Sequence, residues 1–181
     1  MDLPTLADSL ELPEGFRAEI ISGSIIVSPT PTYWHAEIVA VLHELLLEKG
    51  LHELRALQTV TVLIPGMEER YVPDLVVFSK EALKQGDRKS WKRSPEGAEL
   101  AVEVVSPSST FHDWRTKAVG YARAGVPLYL VVDPTKEKVA LYSAPEDGQY
   151  QQETKVTGEG TVRLPEPFDM EIRASQLFEL N

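Results

Sequence analysis

Cysteine is absent from the 181-residue chain. Disulfide staples, thiolate zinc sites and cysteine nucleophiles are therefore excluded, a composition that suits a reducing compartment. Long apolar runs are missing as well, since no window approaches the roughly 18 consecutive apolar residues that a membrane helix needs. The acidic start, MDLPTLADSLELPEGF, lacks the basic and apolar blocks of a signal peptide, so a cytoplasmic protein is expected. Basic charge is in short supply: 18 Lys and Arg stand against 28 Asp and Glu, a formal net charge of −10. That balance argues against a protein that coats nucleic acid nonspecifically, because phosphate binding rests largely on Lys and Arg displacing counterions. His35, His43, His52 and His112 are scattered and make no zinc-type cluster. A Gly-rich phosphate loop, a Gly-x-Ser-x-Gly elbow and a dinucleotide fingerprint are all missing, so kinase, esterase and dehydrogenase readings lack their minimum equipment.

What is present suits one globular domain, with 43% hydrophobic residues to build a core. Residues 1–15 are rich in proline and acid and read as a lead-in with room for one short helical turn, with a single domain over residues 16–181. Residues 16–21 and 24–28 flank Ser22-Gly23, a two-residue connection of the kind that closes a β-hairpin. From Thr32, Trp34, Ile38, Val41 and Leu45 recur at helical spacing, widened by Leu42 and Leu46, until Gly50 stops the first long helix. Residues 57–64 and 71–78 read as two strands around Pro65-Gly66. The second contains Pro73, which has no ladder donor and implies an edge or a bulge beside Asp74.

Residues 100–105 form a short apolar run, as expected of a central strand covered on both faces, yet it contains Glu103. A helix is expected from about Thr110 to Ala124, bounded by Gly125 and Pro127, and a buried strand over residues 128–132. Strand, helix, strand is a crossover unit, so those two strands should be parallel. Residues 139–143 and 150–156 read as a further hairpin, and a short helix is expected near residues 175–180. The sum is an α/β domain with a mixed central β-sheet flanked by helices, with β-hairpin additions.

The chemistry-bearing constellation is Val72-Pro73-Asp74, then Ala101-Val102-Glu103-Val104-Val105, then Lys117 on the next helix. Two acids on neighbouring strands can share a cation, and magnesium, a hard ion, prefers oxygen ligands from one or two carboxylates plus water and substrate phosphate. Lys117 borders the apolar face built by Trp114, Ala118, Tyr121 and Ala122, so its stem can lie on the sheet while its ammonium reaches the strand ends. The competing reading is a surface lysine paired with Asp113. Asp113 either tethers Lys117 or caps its helix, the cap being the first reading, and Ser106, Ser108 and Ser109 read as turn and cap residues around Pro107. The stretch from Lys80 to Arg93, with Lys84, Arg88, Lys89 and Lys92, is a local basic run that either meets a substrate or forms a solvated loop or helix.

The segments around Glu19, Pro73-Asp74, residues 103–109, residues 113–117 and residues 121–134 resemble the putative restriction endonuclease family of small bacterial proteins, within the PD-(D/E)xK nuclease superfamily. The resemblance runs from about Phe16 to the C-terminus and is most specific over residues 103–134. It implies a restriction-endonuclease-like fold, Mg2+ or Mn2+ as cofactor and DNA as substrate. It makes Asp74 the motif aspartate and Glu103 the second acid, with the Val104 carbonyl as a further metal ligand. The usual lysine position, two after the acid, holds Val105, and the resemblance implies that Lys117 replaces it from the following helix. Glu19 matches an early acidic position that helps to bind metal, against a plain reading as a hairpin surface acid. His35 matches a recurring histidine able to contact phosphate, against a structural or exposed helix-start residue. Cutting both strands of a duplex suits a homodimer. The alternatives are a catalytically inactive binding or assembly protein of the same fold, and a hydrolase of small phosphoesters using the same acids.

Overall fold

A computed structural model describes residues 2–106 and 109–179. Helix α1 (Leu3–Asp8) starts where the Asp2 side chain accepts from the Thr5 amide at 2.8 Å, and its Asp8 carboxylate accepts from Arg70 and Lys92. Strands β1 (Arg17–Ile21) and β2 (Ser24–Ser28) form the expected hairpin, with Ile21 facing Ser24. Both linking residues, Ser22 and Gly23, have positive φ, 49° and 71°, as the tightest hairpin turn requires. Helix α2 (Tyr33–Glu48) begins at Thr32, whose hydroxyl accepts from the His35 amide, and ends before Gly50, held at φ 71°, the left-handed position after a helix. Its buried face carries His35, Ile38, Val39, Leu42 and Leu46.

The two strands expected around Pro65-Gly66 prove to be one long hairpin with both arms bent. The first arm is β3 (Leu54–Leu57) and β4 (Thr61–Ile64), and the second is β5 (Glu69–Tyr71) and β6 (Leu75–Ser79). β4 pairs with β5 in one sheet and β3 with β6 in another. The arms cross between sheets at residues 58–60, with Thr59 at φ 59°, and at residues 72–74. Hydrophobic alternation is the same on both sides of such a corner, so periodicity reads straight through it. Pro73 marks that corner and not a sheet edge. Asp74 therefore sits at the end of β6, where the chain leaves one sheet for the other.

Helix α3 (Lys80–Gln85) and β7 (Lys92–Arg93) follow, then β8 (Ala98–Val104). The next helix opens at Thr110, passes through a wider π turn at His112–Thr116 and continues as α4 (Lys117–Arg123). β9 (Leu128–Asp133) is parallel to β8, as the crossover reading requires. β10 (Lys138–Glu146) and β11 (Gln149–Thr157) make a longer hairpin than expected. A hairpin the sequence did not suggest, β12 (Thr161–Leu164) with β13 (Met170–Arg173), closes the fold. The terminal helix reduces to a 3-10 turn at Ser175–Leu177. Leu180, within the expected span, lies outside the described residues, as do Pro107 and Ser108.

The central sheet has the order β11-β10-β9-β8-β6-β3, mixed because only β8 and β9 run parallel. Side chains alternate across β8: Leu100, Val102 and Val104 enter a core shared with α2 and the last hairpin, while Ala101 and Val105 enter a second core shared with α4 and the β2-β1-β5-β4-β7 sheet. By the same alternation Glu103 projects toward α4. Both faces of β8 are covered by other elements, so this acid is buried.

Candidate active site

Glu103 is 1% exposed and lies on a central strand of the sheet. Its Oε1 accepts from the Lys117 ammonium at 2.9 Å and from the Tyr121 hydroxyl at 3.0 Å. Both donors come from α4, one turn apart. The same ammonium stands 2.9 Å from Glu19 Oε1 and 3.4 Å from Asp113 Oδ1. Lys117 is 2% exposed, so it is not the surface lysine of the competing reading. The π turn contributes to this: the Lys117 amide bonds back to the His112 carbonyl, five residues earlier, which widens the helix where Asp113 and Lys117 face the sheet. Glu19 is buried too, and its Oε1 also accepts from the Val72 amide at 2.7 Å. It ties β1 to the corner that carries Asp74, so the surface-acid reading does not hold.

Asp74 forms the second half of the cluster and has different partners. Arg17 places both terminal nitrogens 3.2 Å from Oδ1. Oδ2 receives His35 Nε2 at 3.0 Å and the Val104 amide at 2.8 Å. The Asp74 amide donates to the Val102 carbonyl, so the aspartate is fixed to β8 at both its backbone and its side chain. No ion pair joins Lys117 to Asp74 among the described residues; the lysine serves Glu103 and Glu19, while Arg17 and His35 serve the aspartate. His35, expected exposed or structural on its plain reading, is buried on Asp74. Of the two readings of Asp113, the structure shows the partner of Lys117 and not the helix cap: it is fully buried, with its other oxygen taken by the Ser109 hydroxyl. Ser109 also bonds Ser106, as the turn reading expects.

Burial dominates the electrostatics. It pushes the Glu103 carboxyl well above the usual range; the Lys117 charge opposes this, while Asp113, Asp74 and Glu19 add to it. Asp113 is raised for the same reason, against Lys117 and the Ser109 hydrogen bond. Burial acts on Lys117 in the opposite sense, but the charges of Glu103, Glu19 and Asp113 outweigh it and hold the ammonium protonated well above the usual lysine range. Asp74 also feels burial most strongly; nevertheless the hydrogen bond and charge of His35, the charge of Arg17 and the Val104 amide bring its carboxyl below the usual value. The two acids are thus pushed apart, as polar clusters with unequal partners do.

A cleft of about 340 Å³ opens over the cluster. Glu19, Glu103, Asp113, Lys117, Arg17 and His35 line its floor, and Pro29, Pro31, Trp34 and Pro134 are among its walls. Val104 also lines it, whereas Asp74, in contact with Arg17 and His35, does not. None of the basic residues between Lys80 and Arg93 reaches the cleft; Lys92 turns to Asp8 and Arg93 to the Ala82 carbonyl. The donor set fits a hard divalent cation in chemistry and charge. Four carboxylates, of Glu19, Asp74, Glu103 and Asp113, face two permanent cations, Arg17 and Lys117, leaving an excess of two negative charges when all are ionised. Asp113 Oδ1 accepts no hydrogen bond although it is buried. Among the described residues no three acids or histidines already stand in ligating arrangement; Arg17 occupies Asp74 Oδ1 and Lys117 stands between Glu19 and Glu103.

Arg17 and Tyr121 were missed by sequence reasoning. Arg17 had a usable signal, a basic residue two before Glu19 on the same strand and therefore on the same face. Tyr121 lies one turn after Lys117 and reads as an apolar-face residue until its hydroxyl finds Glu103.

The Uma2 family model, described as "Putative restriction endonuclease", matches residues 6–176. The fold is similar to a crystal structure of a "putative nuclease belonging to DUF820" from Anabaena variabilis, with TM-score 0.77, 18% identity, and 97% of this chain and 96% of that chain covered. No curated protein matches the chain.

Proposed function

Since the chain belongs to the Uma2 family of restriction-endonuclease-like proteins, we propose that it hydrolyses phosphodiester bonds in DNA at this cleft with a divalent cation, Mg2+ or Mn2+. One observation carries the reading: a fully buried ammonium, Lys117 Nζ, 2.9 Å from both Glu103 and Glu19 on a cleft floor. Asp74 and Glu103 are the residues to hold the cation, with the Val104 carbonyl and Glu19 as further oxygen donors. What the cation supplies when bound is polarisation of the phosphate and a lowered pKa for its water. Lys117 orients the attacking water and offsets negative charge building on the phosphate in the transition state. Burial keeps solvent off that ammonium, and Glu103, Glu19 and Asp113 around it hold it protonated and in place. Tyr121 and Asp113 fix Glu103 and Lys117 in place through the contacts already described. Two copies related by a two-fold axis would serve the two strands of a duplex, with a solution mass of twice 20.2 kDa.

The test is incubation of the purified protein with plasmid and linear DNA, with and without Mg2+ or Mn2+, beside Asp74→Ala and Lys117→Ala variants. Cleavage is expected only with metal and should fall at least about a hundredfold in each variant, the scale of losing one electrostatic stabiliser. Metal-dependent cleavage undiminished in both variants would remove these residues from the chemistry. Absence of cleavage on every DNA and RNA tried would instead favour a binding role for the fold.

A further inference from the structure

We propose that Arg17 is the residue through which a nucleic-acid phosphate is received: it covers Asp74 in the resting chain and exchanges that carboxylate for a phosphate when a divalent cation takes the carboxylate over. The proposal rests on the metal-dependent nuclease reading above.

The grip of Arg17 on Asp74 is the exchangeable one. Both terminal nitrogens converge on Oδ1 at 3.2 Å, unlike the parallel fork in which each N–H meets its own oxygen. Oδ2 is not available for that fork, because His35 Nε2 and the Val104 amide already hold it. Those two donors orient the carboxylate and leave Oδ1 as the oxygen that can change partners. Arg17 Nε is buried and makes no hydrogen bond, so the guanidinium leaves part of its donor set unused against the aspartate. A phosphate presents several oxygens to a planar fork and can use that set fully.

Position supports the same role. The Arg17 side chain is 32% exposed and lines the cleft, whereas Lys117 is 2% exposed and surrounded by three carboxylates. Of the two permanent cations in the cluster, Arg17 alone can meet an arriving anion without leaving a buried charge unpaired. In a chain of net charge −10, a cation released only when metal neutralises Asp74 makes phosphate binding conditional on the metal. Both charges stay paired throughout: aspartate passes from guanidinium to metal, and guanidinium from aspartate to phosphate.

Arg17→Met and Arg17→Lys test this, with folding checked by thermal melts. Mn2+ binding is titrated without DNA by electron paramagnetic resonance, and duplex binding is measured by fluorescence anisotropy with Ca2+ over a range of salt. Arg17→Met should bind Mn2+ on the order of tenfold more tightly, the weight of one charge-assisted contact removed as competitor. Its DNA affinity should fall, and the slope of log affinity against log salt should shrink by about 0.9, one phosphate contact. Arg17→Lys, a point charge without the fork, should show a smaller gain for Mn2+ and a loss for DNA, and it carries the test if Arg17→Met does not fold. Unchanged or weaker Mn2+ binding, or an unchanged salt slope, overturns the proposal. A native chain that binds Mn2+ and cleaves while the variants match it in both measurements sinks the role of Arg17 alone. A native chain that neither binds Mn2+ nor cleaves sinks the nuclease reading and this proposal with it.

Discussion

At the scale of single residues the cluster divides into two kinds of acid, and pH should separate them. Glu103 is raised by burial and by neighbouring carboxylates, with Lys117 only partly opposing. A group whose folded pKa lies above its unfolded value contributes stability that is complete below the unfolded value and is lost as pH rises through the folded one. In EDTA, the native chain should therefore lose stability as pH climbs from the ordinary glutamate range through the raised value. Glu103→Gln should flatten that slope without abolishing it, because Asp113 is raised too. Asp74 works in the opposite sense: its lowered carboxyl contributes stability above the ordinary aspartate value, lost as pH falls through the folded one. Asp74→Asn should remove only that acid-side loss. Urea melts across pH measure both, and an unchanged slope in Glu103→Gln would refute a raised Glu103 carboxyl.

At the scale of elements, α4 is held against the corner of the bent hairpin by a missing side chain. A Cβ on Gly120 would stand 2.2 Å from the Tyr71 hydroxyl oxygen and 2.4 Å from its ring, and Tyr71 is fully buried, with its hydroxyl on Glu69. Gly120→Ala gains helix propensity of about 1 kcal/mol but must push α4 off the second sheet, an overpacking cost of about 1–3 kcal/mol. A net loss of stability is expected, together with reduced cleavage, because Lys117 and Tyr121 ride on the same helix. A variant as stable and active as the native chain would show that α4 has room to move. Element boundaries were the least legible part of the sequence. The crossover from β8 through α4 to β9 was readable because its signals are local: an apolar run, a helical stripe, then Gly125 and Pro127. The bends at residues 58–60 and 72–74 were not, because which sheet a strand joins depends on partners far away in sequence.

At the scale of the whole molecule, the proposed divalent cation would relieve the repulsion among whichever of the four clustered carboxylates are ionised. A ligand that binds only the folded chain stabilises it by about 2.7 kcal/mol at a hundred times its dissociation constant. For a chain of this size that corresponds to a rise in Tm of roughly 5–10 °C. Mg2+ should raise the native Tm relative to EDTA, and Asp74→Ala should lose most of the increase. An equal increase in both chains would place cation binding elsewhere on the surface. No helix among the described residues is long and apolar enough to cross a membrane.

By itself the sequence determined the α/β class, the parallel crossover that carries Glu103 and Lys117, and the presence of an acid within a dry strand. These follow from local pattern, since periodicity, caps and breakers act over a few residues. Only the tertiary structure decided how the acids are partnered. It set Arg17 and His35 on Asp74, Lys117 between Glu103 and Glu19, and Asp113 in the interior instead of at a helix cap. Residues 17, 35, 74, 103 and 117 are far apart along the chain, and their pairing is fixed by the bent hairpin and the two faces of β8. The need of each buried charge for a counter-charge within hydrogen-bonding distance then selects the partners, and that need acts through space.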